Sequence, residues 1–207
     1  MSTNKITLIL SFFIVSLFVF NQCTAKKETP SNSIVIEFEQ RNKSVLSQNA
    51  NLLFAKSPQE YETAITRFQQ LDQQNLISYD AGANQRIACA ERVYRMLALI
   101  EPSLAKSLSS NKNLAQAVYA DLKSQTKSEL TTDPNKVGNL ALTIYYNDYE
   151  NGEPAIGHIG LLFRANDGTL KEFSNSSSSK TQIHNSFADA VKWYSGDYSK
   201  AAILPIK

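Results

Sequence analysis

Hydrophobic and polar positions alternate on two different periods along this chain, and the change of period divides it. After an apolar opening run and a polar stretch, Ile34 to Lys56 follows a mostly helical pattern. Ser57-Pro58-Gln59-Glu60 reads as a capping box with proline at the first helical position. Behind it Tyr61, Ala64, Ile65, Phe68 and Leu71 recur at helical spacing and predict one apolar stripe. Ser78 to Asn84 is a loop, and a helix then carries Cys89, Val93, Met96 and Ile100 on one face. It stops ahead of Pro102, because proline disfavours helix in the residue before it. A short helix near Leu104 and another from Leu114 to Lys123 complete a helical first half.

From Leu140 the period becomes that of a strand: Leu140, Leu142, Ile144 and Tyr146 alternate with Ala141, Thr143 and Tyr145. Ile156 to Arg164 is a second strand, Asn166-Asp167-Gly168-Thr169 a hairpin turn and Leu170 to Asn175 a third strand. A Ser-rich loop, a helix near Phe187 to Tyr194 and a last strand from Ala201 to Ile206 follow. Helices first and an antiparallel sheet afterwards predict an α+β fold, a helical half packed on a small sheet.

The opening run adds a destination. Lys5 precedes an uncharged apolar segment from Ile6 to Phe20, too short to span a bilayer comfortably and suited to an export signal. Two exits remain open. Cys23 becomes a lipid-modified N-terminus, or cleavage follows Ala25. The expected organisation is a signal over residues 1–25, a tether over 26–33, a helical extension over 34–76 and a domain over 77–207. The protein is then expected in the cell envelope, held to the membrane by its signal or lipid. Roughly 180 residues remain, enough for one core. A net charge of +2 without a dense Lys/Arg block gives nucleic-acid binding no electrostatic support.

Cysteine usage then narrows the chemistry. Of two cysteines, Cys23 belongs to the export signal, which leaves Cys89 as the single thiol of the mature chain. At a helix start, N–H groups and the helix dipole favour a thiolate and offer part of an oxyanion hole. Taken alone, Cys89 reads better as a small core hydrophobe, since free cysteine is among the most buried residue types. A neighbouring histidine decides between these readings, and the chain has two. His158, in Gly157-His158-Ile159-Gly160, is flanked by glycines that leave room for a partner. With Asp167-Gly168 as a two-residue turn, Leu162 pairs with Phe173 and Gly160 with Asn175. Asn175 then lies diagonal to His158 on the same face, roughly 7–8 Å away, and its amide oxygen can orient the imidazole. A bulge shifts that count by one and moves Asn175 to the other face.

Tyr79, Gly82 and Cys89 ahead of a helix, followed by Gly157-His158-Ile159-Gly160 in a strand and a polar residue one strand later, resemble the NlpC-type papain-like cysteine peptidases of bacterial cell walls. The resemblance covers residues 78–206. It implies a papain-like core in which Cys89 is the nucleophile, His158 the base, Asn175 the orienting residue and Tyr79 a residue lining the substrate site. It also implies an amide substrate, a peptidoglycan stem peptide, and no metal or organic cofactor. The sequence departs from the family around the nucleophile. Ala88 stands where Asp or Asn is usual, and Ala90-Glu91 where Ser-Gly is usual. Those departures favour a second reading, an inactive envelope lipoprotein that binds or inhibits. His184 is placed at the start of the following helix, Trp193 and Tyr194 in its core face, and neither histidine makes a zinc spacing with Cys89.

Overall fold

The computed structural model describes residues 38–79, 89–105, 114–147, 155–175 and 180–207. The expected export signal with Cys23 and Ala25, the expected tether, Gly82, Asn84, Ala88 and residues 176–179 lie outside the described residues. Six helices carry labels: α1 (Lys43–Gln48), α2 (Ala50–Leu53), α3 (Tyr61–Gln73), α4 (Cys89–Ile100), α5 (Leu114–Thr126) and α6 (Phe187–Tyr194). The strands are β1 (Leu140–Tyr146), β2 (Ile156–Arg164), β3 (Leu170–Asn175), β4 (Thr181–His184) and β5 (Lys200–Pro205). They form one antiparallel sheet in the order β4-β3-β2-β1-β5. The fold is mixed α+β, with helices concentrated in the first half, as the change of period predicts.

Alternation assigns each strand residue to a face. Leu140, Leu142 and Ile144 pair with Phe163, Leu161 and Ile159, and these side chains join Phe173 and Leu204 in the main core. Helices α3, α4 and α5 pack on that face. The opposite face carries Ala141, Leu162 and Ile203, with Phe187 of α6 packed against them. The sheet is therefore covered on both sides. Both faces are unequal: one is almost wholly aliphatic and aromatic, the other mixes a small apolar cluster with buried polar groups.

The described residues before 77, from Phe38 on, are not a separate body. Phe38, Leu46 and Leu53 belong to the same buried cluster as Phe163 and Leu204. Asn42 ties this segment to the chain entering the site. Its amide donates to the carbonyls of Phe38 and Ser78, both at 2.9 Å, and its Oδ1 accepts the Ser78 N–H at 2.7 Å. The extension also explains why α4 is buried nearly all round, including Arg92 and Arg95.

Several local expectations are corrected. Ser57 does not cap its helix; the Glu60 carboxylate instead accepts from Ser57 Oγ at 3.0 Å and from the Lys56 N–H at 2.7 Å. Leu104 lies in a turn that follows α4, not in a helix. Thr181–His184, to which the sequence pattern assigns no element, is an edge strand against β3, and Asp72 and Gln73 supply partners for Thr181 from α3. Trp193 is 61% exposed and is not a core residue, whereas its neighbour Tyr194 is buried.

The hairpin correction reaches the site. Ala165 N–H donates to Thr169 O at 2.8 Å and Gly168 N–H to Ala165 O at 2.9 Å, so the loop is three residues, Asn166-Asp167-Gly168. Gly168 takes φ +83°, the left-handed conformation such a loop requires and glycine adopts without strain. The register moves by one relative to a two-residue turn: Leu161 pairs with Phe173 and Leu162 with Glu172.

Candidate functional site

Cys89 begins α4 and packs on the edge of the main core. Its sulfur lies against the backbone N–H of Ile159 in β2, the residue that follows His158. Strand geometry explains why that N–H is available. Arg164 N–H donates to Asn139 O at 3.0 Å, so in β2 the N–H groups of Leu162, Gly160 and His158 turn toward β1. The Ile159 N–H turns the other way, toward β3, and the β2–β3 ladder ends at Leu161 and Phe173. The thiol occupies the place a further strand residue would take. Burial pushes the Cys89 thiol up, and the N–H groups of Ile159, Ala90 and Cys89 together with the Arg92 charge offset this only in part. The expected helix-start effect exists, but desolvation outweighs it.

His158 occupies the other face of β2 from Ile159, because the alternation that sends Ile159 into the core turns its neighbour away. A bulge sits directly before it. Tyr145 pairs with His158 but Tyr146 pairs with Ile156, which leaves Gly157 as the extra residue. A Cβ on Gly157 would come within 2.4 Å of Asn147 Oδ1 and 2.6 Å of Tyr198 Cε1. The glycine therefore lets Tyr198 close over the imidazole. The His158 ring lies 4.4 Å from that of Tyr194, 5.5 Å from Tyr145 and 5.8 Å from Tyr198. Tyr194 and Tyr198, which pack around the imidazole, also feel the charge of an ionised Cys89 thiol. His158 Nε2 is buried and has no hydrogen-bond partner among the described residues. Burial, aided by the nearby His184, pushes its pKa down to about 3. Thiol and imidazole are both neutral at pH 7.

Asn175 does not orient His158. The three-residue hairpin loop puts its side chain on the α4 face, with Phe173, and His158 on the other. Its Oδ1 is buried without a hydrogen-bond partner, while its backbone carbonyl accepts the Tyr194 hydroxyl at 2.9 Å. The contribution of Asn175 to the imidazole is thus indirect, through the tilted Tyr194 ring packed against it. Tyr79 does reach the helix start. The Arg92 guanidinium lies 4.6 Å from the centre of its ring and that of Arg95 5.4 Å. Arg92 also pairs with Asp72 at 3.5 Å, and Asp72 accepts the Thr181 N–H at 3.1 Å. Tyr79, Arg92 and Asp72 form the polar wall beside Cys89.

Sequence reasoning missed Glu172. It reads as an exposed strand residue in Lys171-Glu172-Phe173, yet it is fully buried on the His158 face. Tyr145 donates its hydroxyl to Oε2 at 2.7 Å. Burial raises the carboxyl pKa to about 7. Gly160 makes the space: a Cβ there would sit 2.5 Å from Thr143 Oγ1 and 2.6 Å from Glu172 Oε1. The two glycines flanking His158 and Ile159 are the one signal in the sequence that something approaches this strand closely. His184 ends β4 opposite Glu172, and its Nε2 accepts from Gln182 at 2.9 Å; it does not cap α6, whose first turn is capped by Ser186.

No family model, no curated protein and no solved structure matches this chain. Among the described residues no group of three or more His, Cys, Asp or Glu side chains is placed to hold a metal ion. No described helix is long and apolar enough to cross a membrane.

Proposed function

We propose that this protein is an exported cysteine hydrolase of papain-like type, held at the cell envelope by its N-terminal signal or a lipid on Cys23. The observation that carries the reading is the seat of the Cys89 sulfur on the Ile159 N–H at the end of the β2–β3 ladder, where the preceding residue, His158, turns a buried imidazole with an unpartnered Nε2 to the other face of the strand. In this reading His158 removes the thiol proton as sulfur attacks an amide carbonyl. A C–S bond forms and the carbonyl electrons move to oxygen, which the N–H groups at the start of α4 stabilise. The tetrahedral intermediate collapses with C–N cleavage, and the imidazolium returns the proton to the leaving amine. Water, deprotonated by the same imidazole, then breaks the thioester to give a carboxylic acid and the free thiol. The substrate class is an amide of the envelope, with peptidoglycan stem peptides the first candidates. Tyr79 and Arg92 border the approach to the sulfur.

The neutral resting pair has a consequence for this mechanism. An imidazole with a pKa near 3 is a weak base, and general-base catalysis works best near the operating pH. Substrate must therefore change the surroundings of His158, by admitting water or shifting Tyr198, for turnover to be efficient. The same burial supports the second reading, an envelope protein that keeps the scaffold for binding without turnover.

The deciding experiment incubates purified protein with muropeptides and follows amine release by mass spectrometry. New amine termini with wild type, lost in both Cys89→Ala and His158→Ala, support the hydrolase. A folded wild-type protein that binds muropeptides and leaves every amide intact would establish the second reading.

A further inference from the structure

A cavity of about 840 Å³ opens on the α6 side of the sheet, at the end opposite Cys89. Arg164, on its rim, is six residues along β2 from His158, roughly 20 Å at strand rise. Leu170, Phe187, Ala188 and Val191 give it apolar walls, and Arg164 and Lys192 are its charged groups. No aspartate or glutamate lines it among the described residues. The nearest acids along the chain are engaged locally. Asp167 accepts from Thr169 N–H at 2.9 Å and Thr169 Oγ1 at 2.6 Å, and Asp133 from Asn135 N–H at 2.9 Å and Nδ2 at 3.0 Å. Asp189 lies in the first turn of α6, outside the lining.

Arg164 is built into the rim. Its guanidinium donates to the carbonyls of Gly138 at 3.0 Å, Gly168 at 2.7 Å and Val137 at 2.7 Å. A guanidinium has about five N–H donors, so about two remain, and no carboxylate among the described residues neutralises the charge. The three carbonyls hold the side chain still, which lowers the entropic cost of using the remaining donors on a ligand. An apolar volume of this size falls in the range of small-molecule sites. Two cations at its mouth, without an acid lining, complement an anion attached to a hydrocarbon tail.

We propose that this cavity binds a single-chain aliphatic carboxylate, with the tail against Leu170, Phe187 and Val191 and the carboxylate between Arg164 and Lys192. The site is separate from Cys89 and does not depend on the hydrolase reading.

Calorimetric titration of the purified chain with decanoate, decanol and decyltrimethylammonium tests it. Decanoate is expected to bind saturably, and the alcohol and the cation at least about tenfold more weakly. Ala188→Trp fills the cavity from an exposed position and is expected to abolish binding, while Cys89 alkylation kinetics stay unchanged as a check on folding. Lys192→Gln is expected to weaken decanoate about threefold and leave decanol unaffected. Because Arg164 also holds the Val137–Gly138 turn, Lys192 and Ala188 carry the test rather than Arg164. Equal affinity for decanoate and decanol, unchanged binding in Ala188→Trp, or no saturable binding would each overturn the proposal. Protein alkylated at Cys89 should bind decanoate as before; loss on alkylation would move the ligand to the thiol site and overturn it equally.

Discussion

Tyr145 of β1 reaches across β2 to donate its hydroxyl to Glu172 of β3, over the space that Gly160 leaves empty. This bond holds a tyrosine ring tilted against His158 and a carboxyl group in the interior of the sheet's polar face. It makes Glu172 and His158 opposite contributors to the pH dependence of stability.

The Glu172 carboxyl is raised from 4.5 to about 7. The folded state therefore holds a proton that the unfolded chain has released over this interval. Its stabilising contribution is complete below pH 4.5 and is lost as pH rises toward 7, at up to about 1.4 kcal/mol per pH unit. Glu172→Gln keeps an acceptor for Tyr145 and cannot ionise. Urea midpoints should show the variant gaining on wild type steadily between pH 5 and 7 (about two units). A difference that does not change with pH would show that Glu172 titrates normally.

His158 acts in the reverse sense. Its pKa falls from 6.5 to about 3, so the unfolded chain binds the proton first as pH drops. The contribution of the neutral imidazole is complete above 6.5 and is lost progressively toward 3. His158→Gln should lose less stability than wild type on acidification below pH 6.5, read from thermal unfolding. Parallel acid profiles for the two proteins would contradict the buried neutral ring.

Gly160→Ala places a methyl 2.5 Å from Thr143 Oγ1 and 2.6 Å from Glu172 Oε1, both in a closed interior. The expected cost is about 1–3 kcal/mol, measured by chemical denaturation. Gly168→Ala meets nothing within 4 Å, and its cost comes from the +83° φ alone, about 1 kcal/mol. Equal losses would mean that the Glu172 side chain moves aside freely.

Burial sets the reactivity of Cys89. Iodoacetamide labelling of the folded protein should follow a thiol pKa above the ordinary value of 9.0 and speed up on unfolding at about pH 8. Rapid labelling of the folded protein at neutral pH would reveal a thiolate that the neutral resting pair forbids.

Asp72 joins three elements. It accepts the Thr181 N–H of β4 and faces Arg92 of α4 from α3, all of them buried. Asp72→Ala should destabilise the fold by about 3–5 kcal/mol, since it removes one side of a buried ion pair. A loss under about 1 kcal/mol would show that Arg92 relies on its other neighbours.

Periodicity alone was enough to read the helical first half, four of the five strands and the inward stripe of α4, because each is set by neighbours along the chain. Cys89 and His158 were legible for the same reason, as scarce residues at an element start and in a strand. The hairpin register was not, since a two-residue and a three-residue loop fit Asn166-Asp167-Gly168 equally well, and one residue of slip carried Asn175 to the far face. Glu172 and Arg92 look like surface residues in sequence. Only packing against Tyr145, Asp72 and Tyr79 buries them, and the desolvation of Cys89, His158 and Glu172 themselves pushes the thiol up, the imidazole down and the carboxyl toward neutrality. Local order follows from side-chain spacing; register, desolvation and the meeting of distant groups follow from how the layers close.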